Sequence, residues 1–353
     1  MIVAVLGTPS ALTYAGCTIV KTIAESAGRV HALISAVYVA ELRKAWDALP
    51  RGARERVVIV SDLPSMPLLN VMRASGAPVV VFLDDFEEVV AHLVESRGYT
   101  TRQALRLTTQ ALCGLDQLSQ ERALRVTSRD CARTLRTFVE SLCEYLGLAE
   151  VSSVTDDVMA RLGYAPSDPI NLHDHVFGKP RQIEAPEPIV IMSDRTEQGL
   201  LKFVANQYAK VGSGIGVAQI TWPTDLFFQV DPPRDFLIGP TDLVGPARFI
   251  SHGPYLHLPV GSWVVTVTFE VAENFSGNHL LVDVASGGVL AAREASLPAS
   301  GVFGLDMGFE IVDPFIPVEV RFQIVSGAIE GKLELLGAVF RRLQPPDESQ
   351  AGG

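Results

Sequence analysis

Basic residues are in short supply in this 353-residue chain, 29 against 40 acidic ones, for a formal net charge of −11. That balance argues against broad binding to nucleic acid or to an anionic membrane, both of which need a basic surface. Apolar runs are of strand length and fall short of the roughly 20 residues a membrane-crossing helix needs. The opening MIVAVLG has neither a basic segment nor a small-residue cleavage site, so no signal peptide is expected. Cysteine is scarce as well. Cys17, Cys113, Cys131 and Cys143 sit in helix-like stretches without CxxC spacing. A disulfide framework is thereby disfavoured, and free buried thiols in a reducing compartment are expected, with the cytoplasm as location. The motifs GxSxG, HExxH and GxxxxGK[ST] are missing altogether. What remains is an ordinary globular composition, 48% hydrophobic and 20% charged, on a chain long enough for two domains.

The first 165 residues alternate short β-branched runs with amphipathic segments. IVAVLG, VVIVSD and PVVVFLDD read as buried parallel strands. YAGCTIVKTIAESAG, VAELRKAWDALP and SMPLLNVMRASG read as helices with Gly or Pro stops. Three further helices follow, in TTRQALRLTTQALCGL, RDCARTLRTFVESLCEYLGL and VSSVTDDVMARLGY. The alternation predicts an α/β domain with an open, mostly parallel sheet flanked by helices. Residues 166–235 read as a Pro-rich linker, a bridging helix in RTEQGLLKFVANQYAKV and a GSGIG hinge. From 236 to 345 the period becomes two. SWVVTVTFEV, HLLVDVAS, GVLAAREASL, VFGLDMGFEIV, PVEVRFQIVSG and GKLELLGAVFRRL predict an antiparallel β-sandwich. Residues 346–353 are expected to be a disordered tail.

Ligands of open α/β sheets bind at strand carboxyl ends, here Gly7–Tyr14, Ser61–Pro64 and Leu83–Asp85. Pro9, Ser10, Ala11, Leu12, Thr13 and Tyr14 follow the first strand. Ser61, Asp62, Leu63 and Pro64 end a middle one. Leu83, Asp84 and Asp85 end the next, with Ala91 in the helix beyond. LRVTSRDCARTLRTFVESLCEYLGL closes the set. In order and spacing these stretches resemble the sulfotransferase family over roughly the first 150 residues.

The resemblance implies a P-loop-like, sulfotransferase-like fold and transfer of a sulfuryl group from 3′-phosphoadenosine-5′-phosphosulfate (PAPS). The family loop P-[KR]-[ST]-G-[ST]-[ST] aligns with Pro9–Tyr14, so Ser10 replaces the cation and Leu12 the inner glycine. A T-H-L-P-like motif aligns with Ser61–Pro64, so Asp62 stands at the catalytic base. The R-x-P and helix serine that grip the 3′-phosphate align with Leu83–Asp85 and Ala91. There the charge is inverted by Asp84, Asp85, Glu87 and Glu88, which repel a phosphate. PAPS binding in the family manner is therefore not expected. What is left of a degenerate donor site is Pro9, Ser10 and Thr13, with Arg125 and Arg129 as candidate cations and Asp62 as candidate base. The competing reading of Asp62 is a cap on the next helix. Arg122, Arg125, Arg129, Arg133 and Arg136 form a basic run, much of it at helical spacing, for which a solvated face competes with an anion site. Asp62, Asp84 and Asp85 could hold Mg²⁺, against which stands their simple placement at a helix N-terminus.

Two other stretches carry candidate chemistry. NLHDHVFG sets His173 and His175 around Asp174, with Asp168 nearby. On a strand such a pair puts both imidazoles on one face, as some zinc sites require. But no third ligand of predictable spacing follows, and a Pro-flanked, hydrogen-bonded loop without metal is the expectation. In the sandwich, RFISHGPYLHLPVGSWVVTVTFEV resembles the entry to carbohydrate-associated β-sandwich domains. The resemblance, with the need for an aromatic platform and polar partners, nominates Arg248, His252, Tyr255, His257 and Trp263 as a sugar site; a core role for Trp263 is the alternative.

The expected protein is of bacterial type: a degenerate, non-catalytic sulfotransferase-like domain joined to a carbohydrate-binding-like sandwich. It would bind or scaffold during synthesis or modification of a surface polysaccharide or glycolipid. The alternative is an active sulfo- or glycosyl-type transferase with a rearranged donor site. A glycan or glycolipid is the expected partner, and a homo-oligomer contact is expected through the sandwich or the α/β domain.

Overall fold

The computed structural model describes residues 1–28, 32–118, 123–178, 195–212, 216–231 and 236–343. Arg122, the Pro-rich run from 179, the centre of GSGIG and the 346–353 tail lie outside the described residues.

The first unit comprises Met1–Glu197 and Gly212–Gly214. Its strands are β1 (Ile2–Gly7), β2 (Ala32–Ser35), β3 (Val57–Ser61), β4 (Val79–Leu83) and β5 (Ala123–Thr127). They lie in the order β2-β3-β1-β4-β5, all parallel. The three apolar runs read from the sequence are the inner strands. β1 and β4 are buried nearly throughout, as strands covered on both faces must be. β2 and β5 are sequence-silent because each edge strand is short and half-exposed. The helices are α1 (Ala11–Ser26), α2 (Val39–Ala48), α3 (Met66–Ser75), α4 (Phe86–Arg97), α5 (Thr101–Leu115), α6 (Leu135–Tyr145), α7 (Val151–Arg161) and α8 (Leu172–Phe177).

The core on one sheet face gathers Val3, Val5, Leu12, Ile19, Phe82, Phe138 and Leu142. Gly16 is required there. A Cβ at that position would stand 2.3 Å from the Phe82 ring, so only glycine lets α1 lie this close to β4. The chain leaves β1 toward β2, returns through β3 and crosses to β4. The order therefore reverses beside β1, and the crevice falls at the carboxyl ends of β1, β3 and β4.

The second unit comprises Gln198–Val211 and Ile215–Gly353. Most of helix α9 (Arg195–Tyr208) belongs to it, and so do β6 (Gln219–Trp222) and β7 (Phe228–Gln229), residues the sequence places in a linker. The remaining strands are β8 (Thr241–Asp242), β9 (Arg248–His252), β10 (Pro254–Leu256), β11 (Gly261–Ala272), β12 (His279–Ala285), β13 (Val289–Ser296), β14 (Gly301–Ile311), β15 (Val318–Ile324) and β16 (Lys332–Arg342). Two antiparallel sheets form a sandwich. One runs β13-β12-β15-β9-β7 with β10 beside β15; the other runs β14-β11-β16-β6 with β8 beside β16. The six long strands match the six alternating runs. Val318, Val320, Phe322 and Ile324 of β15 and Trp263, Val265, Val267 and Phe269 of β11 point inward and are buried. Among the described residues no helix is long and apolar enough to cross a membrane.

Candidate functional site

Three residues connect β1 to α1. Thr8 donates its N–H to the Phe82 carbonyl at 3.1 Å and accepts the Asp84 N–H at Oγ1, 3.3 Å away. Ser10 is the N-cap of α1, its Oγ accepting the Thr13 N–H at 3.3 Å and donating to Thr13 Oγ1 at 3.4 Å. Thr8, Ser10 and Thr13 have no exposed surface, and Pro9 is buried. The Thr13 side chain packs on Gly7, where a Cβ would meet its Oγ1 at 2.3 Å. The structure thus brings Pro9, Ser10 and Thr13 together, but as a folded plug. Their hydroxyls are spent on the helix cap and on one another.

Asp84 closes the plug from β4. It is 8% exposed; its Oδ1 accepts the Asp85 N–H at 3.0 Å, and Oδ2 has no hydrogen-bond partner. Burial pushes its carboxyl up to about 6, against the Asp85 N–H and the Ser10 hydroxyl and helped by the charges of Glu88 and Asp85. Asp85 is the N-cap of α4 without a side-chain cap bond. Its Oδ1 instead accepts the Ser128 hydroxyl at 2.8 Å. Glu87 and Glu88 fill the first turn of α4, as the helix dipole favours. A buried carboxyl beside Ser10 repels an anion approaching this loop once it is ionised. No cluster suited to a metal ion occurs among the described residues.

Asp62 is neither a helix cap nor an open base. The N-cap of α3 is Ser65. Asp62 Oδ2 accepts the Tyr14 hydroxyl at 2.7 Å and lies 2.5 Å from Arg97 Nη2, which also donates to the Tyr14 hydroxyl. The Arg97 guanidinium stands over the Tyr14 ring at 5.8 Å, and His92 packs against that ring at 5.5 Å. Burial raises the Asp62 carboxyl, while the bound guanidinium at 2.5 Å favours the charged form. Tyr14, His92 and Arg97 were not legible as site residues. Arg97, the last residue of α4, meets the carboxyl end of β3 through a contact that spans 35 residues of sequence.

The arginine run is not one helical face. Arg125 lies in the middle of β5, opposite Val81, and donates to the Leu115, Leu118 and Gly212 carbonyls. Arg129 is exposed on the 3₁₀ turn after β5. Arg136, on α6, pairs with Glu140 and Asp156 at 3.0 and 2.8 Å. The His173–His175 stretch is the helix α8 rather than a loop. Two positions on a helix are about 200° apart, so the imidazoles do not share a face. His175 Nδ1 meets the Tyr164 hydroxyl at 3.2 Å, and His173 meets Asp174 at 3.6 Å.

In the sandwich, three of the five sugar-site candidates are structural. Trp263 is fully buried and donates Nε1–H to the Pro259 carbonyl at 3.0 Å. His257 is 4% exposed, and its carbonyl accepts the Tyr208 hydroxyl at 2.8 Å. Arg248 spends its guanidinium on the carbonyls of Asp242, Leu243 and Pro246. The other two stay together. The Tyr255 hydroxyl and His252 Nδ1 are 2.9 Å apart, and Phe228 stacks on His252 at 5.7 Å. Tyr255 has φ +67°, a backbone region that bulky residues rarely enter.

The alternation of β15 then adds residues that sequence reasoning missed. Glu319, Arg321 and Gln323 point away from the core, with Arg321 opposite Asp283 of β12. Arg321 Nε donates to Asp283 Oδ1 at 2.7 Å, and its guanidinium covers the Phe249 ring at 5.7 Å. The period-two pattern of PVEVRFQIV held that signal. It was read for strand type and not for its outer face.

No family model and no curated protein matches this chain. Among solved structures, it is similar to a mouse sulfotransferase complexed with PAP, at 12% identity and TM-score 0.39 over 60% of this chain and 85% of that one. It is also similar to TmCBM61 in complex with β-1,4-galactotriose, at 11% identity and TM-score 0.23 over 35% of this chain and 88% of that one. A third is the C-terminal CBM6 of LamC from Zobellia galactanivorans, at 12% identity and TM-score 0.19 over 29% and 99% of the two chains.

Proposed function

We propose that the chain is a sulfotransferase-like protein whose donor site has closed. It acts without catalysis as a glycan-associated binding or scaffolding component in building or modifying a surface polysaccharide or glycolipid. The observation that carries this reading is the plug at the carboxyl end of β1. Ser10, where the family places a cation, is fully buried and caps α1, with the buried Asp84 carboxyl beside it. A donor with several negative charges would have to displace packed side chains and face that carboxylate. Loss of transfer chemistry leaves binding as the remaining use of the fold, and the aromatic and charged residues on the outer face of the six-stranded sheet support a glycan as the ligand.

The test is thermal denaturation with PAPS, its desulfated nucleotide and common nucleotide sugars. A donor at 100 times its Kd would stabilise the fold by about 2.7 kcal/mol. No shift with any of them is the expected outcome. One observation favours the alternative of an active transferase: Arg97 brings to the strand ends a guanidinium that the motif lacks. A shift that vanishes in Asp62→Ala or Thr13→Ala would replace the proposal with that reading.

A further inference from the structure

The outer face of the six-stranded sheet carries an unusual run of side chains. Phe249 is 40% exposed and lies under the Arg321 guanidinium. Arg321 is held by Asp283, its Nε donating to Oδ1 at 2.7 Å. Tyr255 joins His252, and His252 joins Phe228. The contacts form two groups on this sheet, Phe228–His252–Tyr255 on β7, β9 and β10 and Phe249–Arg321–Asp283 on β9, β15 and β12. A sheet face left to solvent ordinarily carries plain polar residues, and here it carries rings together with a fixed Arg–Asp pair. Tyr255 takes the left-handed backbone region at a bulge between Pro254 and Leu256, which keeps both of those neighbours buried and leaves the half-buried Tyr255 ring beside His252.

We propose that this strip is a binding site for a neutral, linear oligosaccharide. The proposal rests on the glycan-associated reading of the sandwich and moves its site from Trp263, His257 and Arg248 to Phe249, Tyr255, Glu319 and Arg321, with the buried Asp283 holding Arg321 in place. The part of the Phe249 ring left open beside the guanidinium and the half-buried Tyr255 ring offer apolar surface to the C–H faces of pyranoses. Arg321, held through Nε by the buried Asp283 carboxylate, keeps its remaining N–H groups as donors beside the part-exposed Glu319 carboxylate, a pairing matched to hydroxyls that each donate and accept. The charge balance sets the class. Arg321 is already neutralised by Asp283, and Glu319 stands 3.9 Å from its Nη1. The local sum is thus negative, on a chain of net charge −11. An acidic or sulfated sugar meets repulsion there, and a neutral one does not.

The experiment is calorimetric titration of the full-length protein with cellohexaose, xylohexaose, laminarihexaose, β-1,4-galactohexaose and, as the anionic member, hexagalacturonate. At least one neutral hexamer should bind, with affinity lowered tenfold or more in Tyr255→Ala and in Phe249→Ser and unchanged in Phe275→Ser, an exposed position outside the strip. Arg321→Met leaves Asp283 unpaired and could unfold the sheet, so Arg321→Lys, which keeps the charge and loses the planar fork, is measured beside it and should also bind tenfold more weakly. Neutral binding untouched by the strip variants would overturn the site while leaving the glycan-associated reading standing. Binding of hexagalacturonate alone would overturn the ligand class. No binding to any glycan, with self-association lost in the strip variants, would overturn both readings in favour of a protein interface.

Discussion

Arg97 and Asp62 meet at 2.5 Å across 35 residues of sequence, joining the carboxyl end of α4 to that of β3. Their side chains are 36% and 20% exposed, and Tyr14 shares the contact. A pair this close to solvent contributes little unless it is geometrically fixed. Here the shared tyrosine fixes it. A double-mutant cycle of Arg97→Ala and Asp62→Asn in urea denaturation should return a coupling of about 1 kcal/mol. A coupling indistinguishable from zero would mean that the contact is incidental.

Asp84 makes stability depend on pH with a defined sign. Its folded carboxyl titrates at about 6, above the ordinary 3.8, because burial disfavours the charged form. The folded state therefore keeps a proton that the unfolded chain has released. The contribution is fully present below about pH 4 and is lost as pH rises through about 6. Above that, ionised Asp84 costs up to about 3 kcal/mol. Asp84→Asn keeps an oxygen for the Asp85 N–H and removes the charge. Its gain in urea denaturation should be about 1 kcal/mol larger at pH 8 than at pH 5. Equal gains at the two pH values would remove the assignment.

Gly16 and Phe82 test the packing that seats the loop. Gly16→Ala forces a methyl to 2.3 Å from the ring and should cost about 1–3 kcal/mol by urea denaturation. Phe82→Leu on the same background should recover part of that loss, because the offending ring is gone. If the double variant is as unstable as the sum of the two singles, the contact is not what makes glycine necessary there.

The strands and helices were legible wherever one physical signal dominated. IVAVLG, VVIVSD and PVVVFLDD are buried on both faces, and the six sandwich runs alternate, so composition and period gave their type. β2, β5 and β7 escaped because short edge strands bury too few side chains to leave a pattern. The arginines show a different limit. Arg125 and Arg129 are near each other in sequence, yet the strand carries one into a ring of carbonyls and leaves the other on a turn. Trp263 looked like a sugar platform because it is large and aromatic; only the phase of β11 sends it into the core. In each miss the residue type was read correctly and its direction was not, since direction is set by pairing partners distant in sequence.

The buried Ser10 has a consequence for how this chain could change over generations. Placing a cation in this loop by Ser10→Lys would break the cap of α1 and set an ammonium where no surface is exposed. The nearest compensation is the Asp84 carboxyl, so the new charge would fold into an internal ion pair and present nothing to a donor. A glycine at Leu12 would meanwhile empty a fully buried position of the core. Each single substitution thus weakens the fold before it creates any affinity, so no single step opens the plug to an anionic ligand.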